Sequence, residues 1–175
     1  MSASTKAAIF LALAASAPTA QASILSTPPP AFRTVAAEYG IPPSLLYAVA
    51  LTESARIVDG RPLPWPWTLN VGGKGIRFET REAAEAALRR HLAAGEHPDV
   101  GLMQVNWRWH ARLLRDPSLA LDPWYNLRAG AAVLAREYEA TGDWWRAVER
   151  YHSRDPERAA RYRGRVTKWF GRIDQ

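Results

Sequence analysis

Apolar residues return at helical spacing in stretch after stretch of this chain, and most stretches open or close on a proline, a glycine or a capping side chain. A first helix is expected from about Ala31 to Tyr39, stopped by Gly40. Thr80 is placed to cap another, from Arg81 to about Ala94, closed by Gly95. A helix should start near Asn106. Asp122-Pro123 opens one whose buried stripe is Leu127, Ala131, Leu134 and Tyr138. Gly142-Asp143 opens one striped by Trp144, Ala147, Val148 and Tyr151. A last helix turns Ala159, Tyr162, Val166, Trp169 and Phe170 inward. Two segments interrupt this pattern. Arg61 to Trp67 alternates proline and tryptophan, which forbids helix and predicts an extended surface segment. Thr68–Val71 and Ile76–Glu79 flank Gly72-Gly73-Lys74-Gly75 and predict a small hairpin with a four-residue loop. The sum is an α+β domain that is predominantly α.

At 175 residues the chain has room for one domain with a proper core. Residues 1–22 read as a secretory signal rather than as part of that domain. Lys6 supplies the basic start, Ala7 to Ala15 a short apolar run, and Ala20-Gln21-Ala22 the small-residue cleavage pattern. Residues 23–30 form a Pro-rich leader, and 31–175 the folded domain. The mature protein is expected to be exported, soluble and monomeric. It has no cysteine, so neither disulfides nor thiol chemistry are available to it. Losing Lys6 with the signal takes the formal charge from +6 to +5, which suits anionic polymers without choosing among them.

Pro42 to Ser54 predicts a helix with prolines in its first turn. Leu46, Val49, Ala50 and Glu53 share one face of it, so a carboxylate ends an apolar stripe. Desolvation and the negative end of the helix dipole would both raise the pKa of such a group. A carboxyl that stays protonated near neutral pH is what a general acid requires. A helix-end glutamate paired with Arg56 fits the same pattern, and helical spacing leaves both readings open.

Other residue groups carry weaker signals. Gly101-Leu102-Met103-Gln104-Val105-Asn106 reads as a loop entering a helix, where glycine permits close backbone approach. Gln104 there offers a donor and an acceptor to an amide or a sugar hydroxyl. Trp65 and Trp67 are candidates for stacking on sugars, while Trp144 and Trp169 belong to the core. His91, His97, His110 and His152 show no metal-ligand spacing, so no metal or other cofactor is expected. Arg158, Arg161, Arg163, Arg165, Lys168 and Arg172 crowd the last helix. Without a nucleic-acid-binding motif they read as a solvated face, and no nucleic-acid partner is expected.

Taken in order, these pieces resemble the soluble-lytic-transglycosylase family of the lysozyme-like superfamily. Glu53-Ser54 is similar to its ES motif, Gly101 to Gln104 to its GLMQ, and Asn126-Leu127, with Gly130 following, to its NL. Ala147 through Tyr151-His152 stands in the place of its closing A-Y-N signature. His152 replaces the asparagine, so no role carries over to that side chain. The stretch between Ser54 and Gly101 is longer than the family core needs. Family members with such an insert resemble the transglycosylases of conjugation, secretion or pilus machinery.

The resemblance implies a lysozyme-like fold and an enzyme that cleaves peptidoglycan in the periplasm. Glu53 would be its catalytic residue, and Ser54, Met103, Gln104, Asn126 and Tyr151 would bind substrate, with Tyr151 orienting Glu53 or stabilising charge on the sugar. It also implies a reaction that needs one carboxyl group. Glu53 would protonate the bond between N-acetylmuramic acid and N-acetylglucosamine, and the muramoyl C6 hydroxyl would close the 1,6-anhydro ring. Most glycosidases use two acidic groups. The nearest in sequence are Asp59, in a turn-like Asp-Gly, and Asp99, read as a brace for the loop that follows. A hydrolytic lysozyme using one of these to hold water is the rival in chemistry. A non-catalytic wall-binding module is the rival in class.

Overall fold

The computed structural model describes residues 27–173, so the expected signal segment lies outside the described residues. The chain opens with α1 (Pro30–Tyr39), which ends at Gly40 in the left-handed conformation at φ 66°. Next comes α2 (Pro43–Ser54), buried almost throughout. Every residue from Leu45 to Leu51 is in the core, so the helix is apolar all round rather than along one stripe. It is the central helix, packed by α1 and by the last helix of the chain.

The segment between α2 and the next helix is more ordered than its prolines suggest. Strand β1 (Ala55–Val58) pairs antiparallel with β2 (Arg61–Pro64) across an Asp59-Gly60 turn. Both turn residues take positive φ, 48° and 75°, as a two-residue hairpin turn of the right twist demands. Pro62 and Pro64 are tolerated because this sheet has only two strands, each with a free edge. The expected second hairpin is also present, with a correction. β3 (Thr68–Val71) pairs with β4 (Lys74–Arg77), and the turn is Gly72-Gly73 alone. Those two glycines satisfy the left-handed turn at φ 57° and 84°, so Lys74 and Gly75 join the strand instead of the loop.

Helix α3 (Arg81–Ala93) starts where Thr80 Oγ1 accepts a hydrogen bond from the Ala83 amide. Two very short strands follow, β5 (Asp99–Val100) and β6 (Val105–Asn106). They extend the second sheet to the order β4-β3-β5-β6. The turn between them is Gly101 to Gln104, so the sheet presents that loop beside the C-terminal end of α2.

The remainder is helical: α4 (Trp107–Leu114), α5 (Pro117–Ala120), α6 (Pro123–Thr141), α7 (Trp144–His152) and α8 (Pro156–Phe170). Asn106, Asp116, Asp122, Asp143 and Asp155 cap these helices through their side chains. Leu127, Ala131 and Leu134 of α6, Ala147 and Val148 of α7, and Ala159, Tyr162 and Val166 of α8 are buried, with α8 packing on α2 and α7 bridging α8 to α6. Trp144 stacks on Tyr138 with ring centroids 3.9 Å apart, fastening α7 to α6. The fold is the predominantly α, lysozyme-like α+β class expected from the sequence, with a larger sheet component than one hairpin.

Candidate active site

Glu53 occupies the last turn of α2, where the buried helix surfaces into a cleft of about 250 Å³. Asn70, Asp99, Gln104, Asn106, Tyr151 and His152 line the same cleft, and Trp109 stands at its rim, 74% exposed. Arg56 does not pair with Glu53. Its guanidinium makes a two-pronged contact with Glu79 at 2.7 and 3.0 Å instead. The partner of Glu53 is Tyr162 of α8, whose hydroxyl donates to Oε1 across 2.6 Å.

Burial pushes the Glu53 carboxyl up to about 7, and the negative field of Asp99 adds to that shift. The Tyr162 hydrogen bond and the positive charge of Arg165 oppose it, because both favour the carboxylate. The group is therefore poised between acid and base at neutral pH. Tyr162 is fully buried, and burial followed by the nearby Glu53 charge holds its hydroxyl well above the usual tyrosine range, so it stays a donor.

The Gly101 to Gln104 loop is held by buried hydrogen bonds. Asn126 Oδ1 accepts from the Met103 amide at 2.9 Å, and its Nδ2 donates to the carbonyls of Val100 and Ala120, each at 2.9 Å. Gly101 has φ 81°, and a Cβ there would collide with the Asn126 side chain. A Cβ at Gly130 would run into Met103 in the same way. From the α2 side, Ser54 Oγ donates to the Leu102 carbonyl at 2.8 Å and accepts from the Trp65 amide at 3.1 Å. Tyr151 donates its hydroxyl to the Met103 carbonyl at 2.7 Å.

These contacts correct several expected roles. Ser54, Met103 and Asn126 are buried and cannot touch a substrate; they set the loop beside Glu53. The hydrogen bond to Glu53 comes from Tyr162 and not from Tyr151, whose hydroxyl is committed to the loop. Tyr151 still lines the cleft with its ring. Gln104 is the loop residue that faces the cleft, at the strained φ of 47°. Its Nε2 donates to the carbonyls of Gly101 and Thr68 at 2.7 and 3.1 Å, so its side-chain oxygen is the atom it offers outward.

Asp99 sits in the cleft with Glu53 and accepts from Asn106 Nδ2 at 2.7 Å, and burial raises its carboxyl. Asp59 is exposed in the β1–β2 turn, away from the cleft. His152, in the place of the family asparagine, lies flat on Tyr162 with ring centroids 4.4 Å apart. Burial, then the charges of Arg165 and Arg158, lower its pKa, so it faces the cleft as neutral imidazole at pH 7.

Trp65 and Trp67 lie outside this cleft. Trp65 is covered by the Arg56 guanidinium at 4.3 Å, and its indole nitrogen donates to the Phe78 carbonyl at 2.7 Å. The cleft tryptophan is Trp109, which sequence reading missed; its signal was an indole on the first turn of α4 that lies off the face carrying Trp107, Leu113 and Leu114 into the core. Tyr162 was visible only as a core position. Among the described residues, no group of three or more His, Asp or Glu side chains could hold a metal ion.

The chain is thus a largely helical domain of lysozyme-like fold that holds a tyrosine-bonded glutamic acid in an open polar cleft. The family model for the Transglycosylase SLT domain matches residues 80–168, and the chain belongs to that family, whose activity is on peptidoglycan. The matched stretch contains the Gly101 loop, Asn126, Tyr151 and Tyr162, while Glu53 precedes it. No curated protein and no solved structure matches the chain.

Proposed function

We propose that this protein is a peptidoglycan lytic transglycosylase in which Glu53 is both the acid and the base. The observation that carries this reading is the Glu53 carboxyl, held near neutrality by burial and joined to Tyr162 at 2.6 Å. In its protonated form Glu53 donates to the oxygen linking C1 of N-acetylmuramic acid to C4 of N-acetylglucosamine. The C1–O bond breaks and the proton leaves with the glucosamine hydroxyl. Tyr162 and Arg165 stabilise the carboxylate so formed. That carboxylate then takes the proton of the muramoyl C6 hydroxyl as O6 bonds to C1. The product is a 1,6-anhydro end, Glu53 is protonated again, and no water is consumed. General acid–base catalysis of this kind contributes about 10²–10⁴-fold in rate.

One observation favours a second reading. Asp99 shares the cleft, so a water held by it would give hydrolysis and a reducing end. Its hydrogen bond with Asn106 argues for bracing instead. Digesting sacculi with the full chain and weighing the new ends separates the two. Ends lighter by one water support transglycosylation, and reducing ends support the lysozyme reading. We further propose export to the periplasm through residues 1–22, and service to an envelope-spanning secretion, conjugation or pilus machine. The longer segment between Ser54 and Gly101, folded as two hairpins and α3, supports that assignment. Co-purification with such a machine, lost when the β1–β2 hairpin is shortened, tests it.

A further inference from the structure

Between the last turn of α2 and the C-terminal end of α8 lies another cavity of about 250 Å³, with Thr52, Arg165, Lys168, Trp169 and Arg172 around it. Arg165 and Lys168 stand three residues apart on α8, and Arg172 follows just past its C-terminal end. Like charges at such spacing destabilise a helix unless an anion lies between them. On α7 and α8, Arg150 pairs with Glu137 at 2.9 Å, Arg161 with Glu157 at 3.4 Å and Arg163 with Glu149 at 3.1 Å, whereas the guanidinium groups of Arg146 and Arg158 stand apart from any described carboxylate. Arg165, Lys168 and Arg172 form no salt bridge with any described carboxylate. The Arg172 Nε is also buried and has no hydrogen-bond partner among the described residues. A donor left in this state costs free energy that a ligand oxygen would return. Trp169 supplies an apolar wall, with the Arg172 guanidinium stacked 5.0 Å from its ring.

We propose that this pocket binds a carboxylate of the stem peptide borne by the muramoyl residue at the scissile bond. The proposal rests on the peptidoglycan reading above and names the part of the substrate that the cleft does not hold. Arg165 links the two places. Its guanidinium lies 5.2 Å from the Tyr162 ring centroid, and its charge acts on Glu53. An anion seated between Arg165, Lys168 and Arg172 is therefore connected to the Glu53 carboxyl through Arg165 and Tyr162. The stem peptide leaves that sugar through its lactyl ether, carries free carboxylates and has small apolar side chains suited to the Trp169 wall. Planar guanidinium groups match a carboxylate in two-pronged fashion, and Lys168 adds a point charge.

Kinetics on two glycans test this. One is isolated strands carrying stem peptides; the other is the same strands after an amidase has removed the peptides. Wild-type full chain should show kcat/KM about tenfold higher on the peptide-bearing strands, the worth of a charge-assisted contact. Lys168→Gln and Arg172→Gln should raise KM on those strands toward the value for stripped strands. They should leave kcat, and all kinetics on stripped strands, unchanged. In a direct titration, free stem tetrapeptide should bind wild type and bind each variant about tenfold more weakly.

Equal kinetics of wild type on both strands, or variants that keep the preference, would overturn the proposal. So would variants that lose only binding to phosphatidylglycerol vesicles, which assigns the pocket to a lipid phosphate. If wild type cleaves neither strand, the proposed function fails; the tetrapeptide titration then still decides the pocket on its own.

Discussion

The hydroxyl of Tyr162 donates to Oε1 of Glu53 across 2.6 Å, joining side chains 109 residues apart. The contact ties the end of the most buried helix, α2, to the last helix of the chain. It also explains how a half-buried carboxyl is held in one orientation without an ion pair. The Tyr162 ring is in turn contacted by His152, stacked at 4.4 Å, and by the Arg165 guanidinium at 5.2 Å. The Glu53 carboxyl is thus held by Tyr162, whose ring meets side chains from both α7 and α8.

Removing the hydroxyl should separate positioning from packing. Tyr162→Phe keeps the buried ring but withdraws a bond that favours the carboxylate. The alkaline limb of the kcat/KM profile should move to higher pH, because Glu53 loses a stabiliser of its charged form. kcat should fall about tenfold or more, the worth of a hydrogen bond to a charged group. A pH–rate profile of the variant checks both shifts.

Glu53 should also weaken the fold as pH rises. Its folded pKa of about 7 lies above the ordinary 4.5, so the native state binds the extra proton between those values. Stability from this group is full below the ordinary value and is lost as pH climbs through about 7. Asp99, also raised, acts in the same direction at its own carboxyl. Glu53→Gln should therefore be more stable than wild type above pH 7, by on the order of 2 kcal/mol, and the two should converge in acid. Urea unfolding of both proteins from pH 4 to pH 8 measures the difference.

The contrast between Tyr162 and the helix caps shows which parts of this molecule were legible in its sequence. Thr80, Asn106 and Asp122 act within three residues of themselves, so local pattern announced them. Glu53 was legible as a charge ending an apolar run. Tyr162 was not, because its distinguishing bond is made by distant chain and its own helix shows only an apolar stripe. Ser54 and Asn126 were legible as special but not as braces. Their work is done on backbone carbonyls of Leu102, Val100 and Ala120, and backbone partners leave no mark on side-chain pattern. The β1–β2 hairpin was obscured because Pro62 and Pro64, poor strand residues, happen to face a free edge.

Those braces should behave as structure rather than as substrate contacts. Asn126→Ala leaves the Met103 amide and two buried carbonyls without partners and should cost about 3 kcal/mol. Ser54→Ala loses less, about 1–2 kcal/mol. For the protein that remains folded, KM on peptidoglycan should be unchanged by Ser54→Ala. Thermal unfolding alongside steady-state kinetics at low temperature reads both quantities.

Trp109 should behave in the opposite way. At 74% exposure it contributes little to the fold, and Trp109→Ala should alter stability by no more than about 0.5 kcal/mol. Its ring stands at the cleft rim with the Arg108 guanidinium 5.4 Å from its centroid, leaving the rest of the exposed indole to meet a sugar face, so KM for long glycan strands should rise severalfold with kcat retained. Comparing short and long strands shows whether the loss grows with substrate length, as an outer contact requires.

In the proposed reaction one carboxyl, Glu53, opens the glycan without water. Mass analysis of the ends released from purified sacculi, with wild type and Glu53→Gln run side by side, decides whether it does. Wild type should release 1,6-anhydromuramoyl ends, and a Glu53→Gln protein that remains folded should release no new ends. Reducing ends from wild type, or undiminished cleavage by Glu53→Gln, would contradict that reaction.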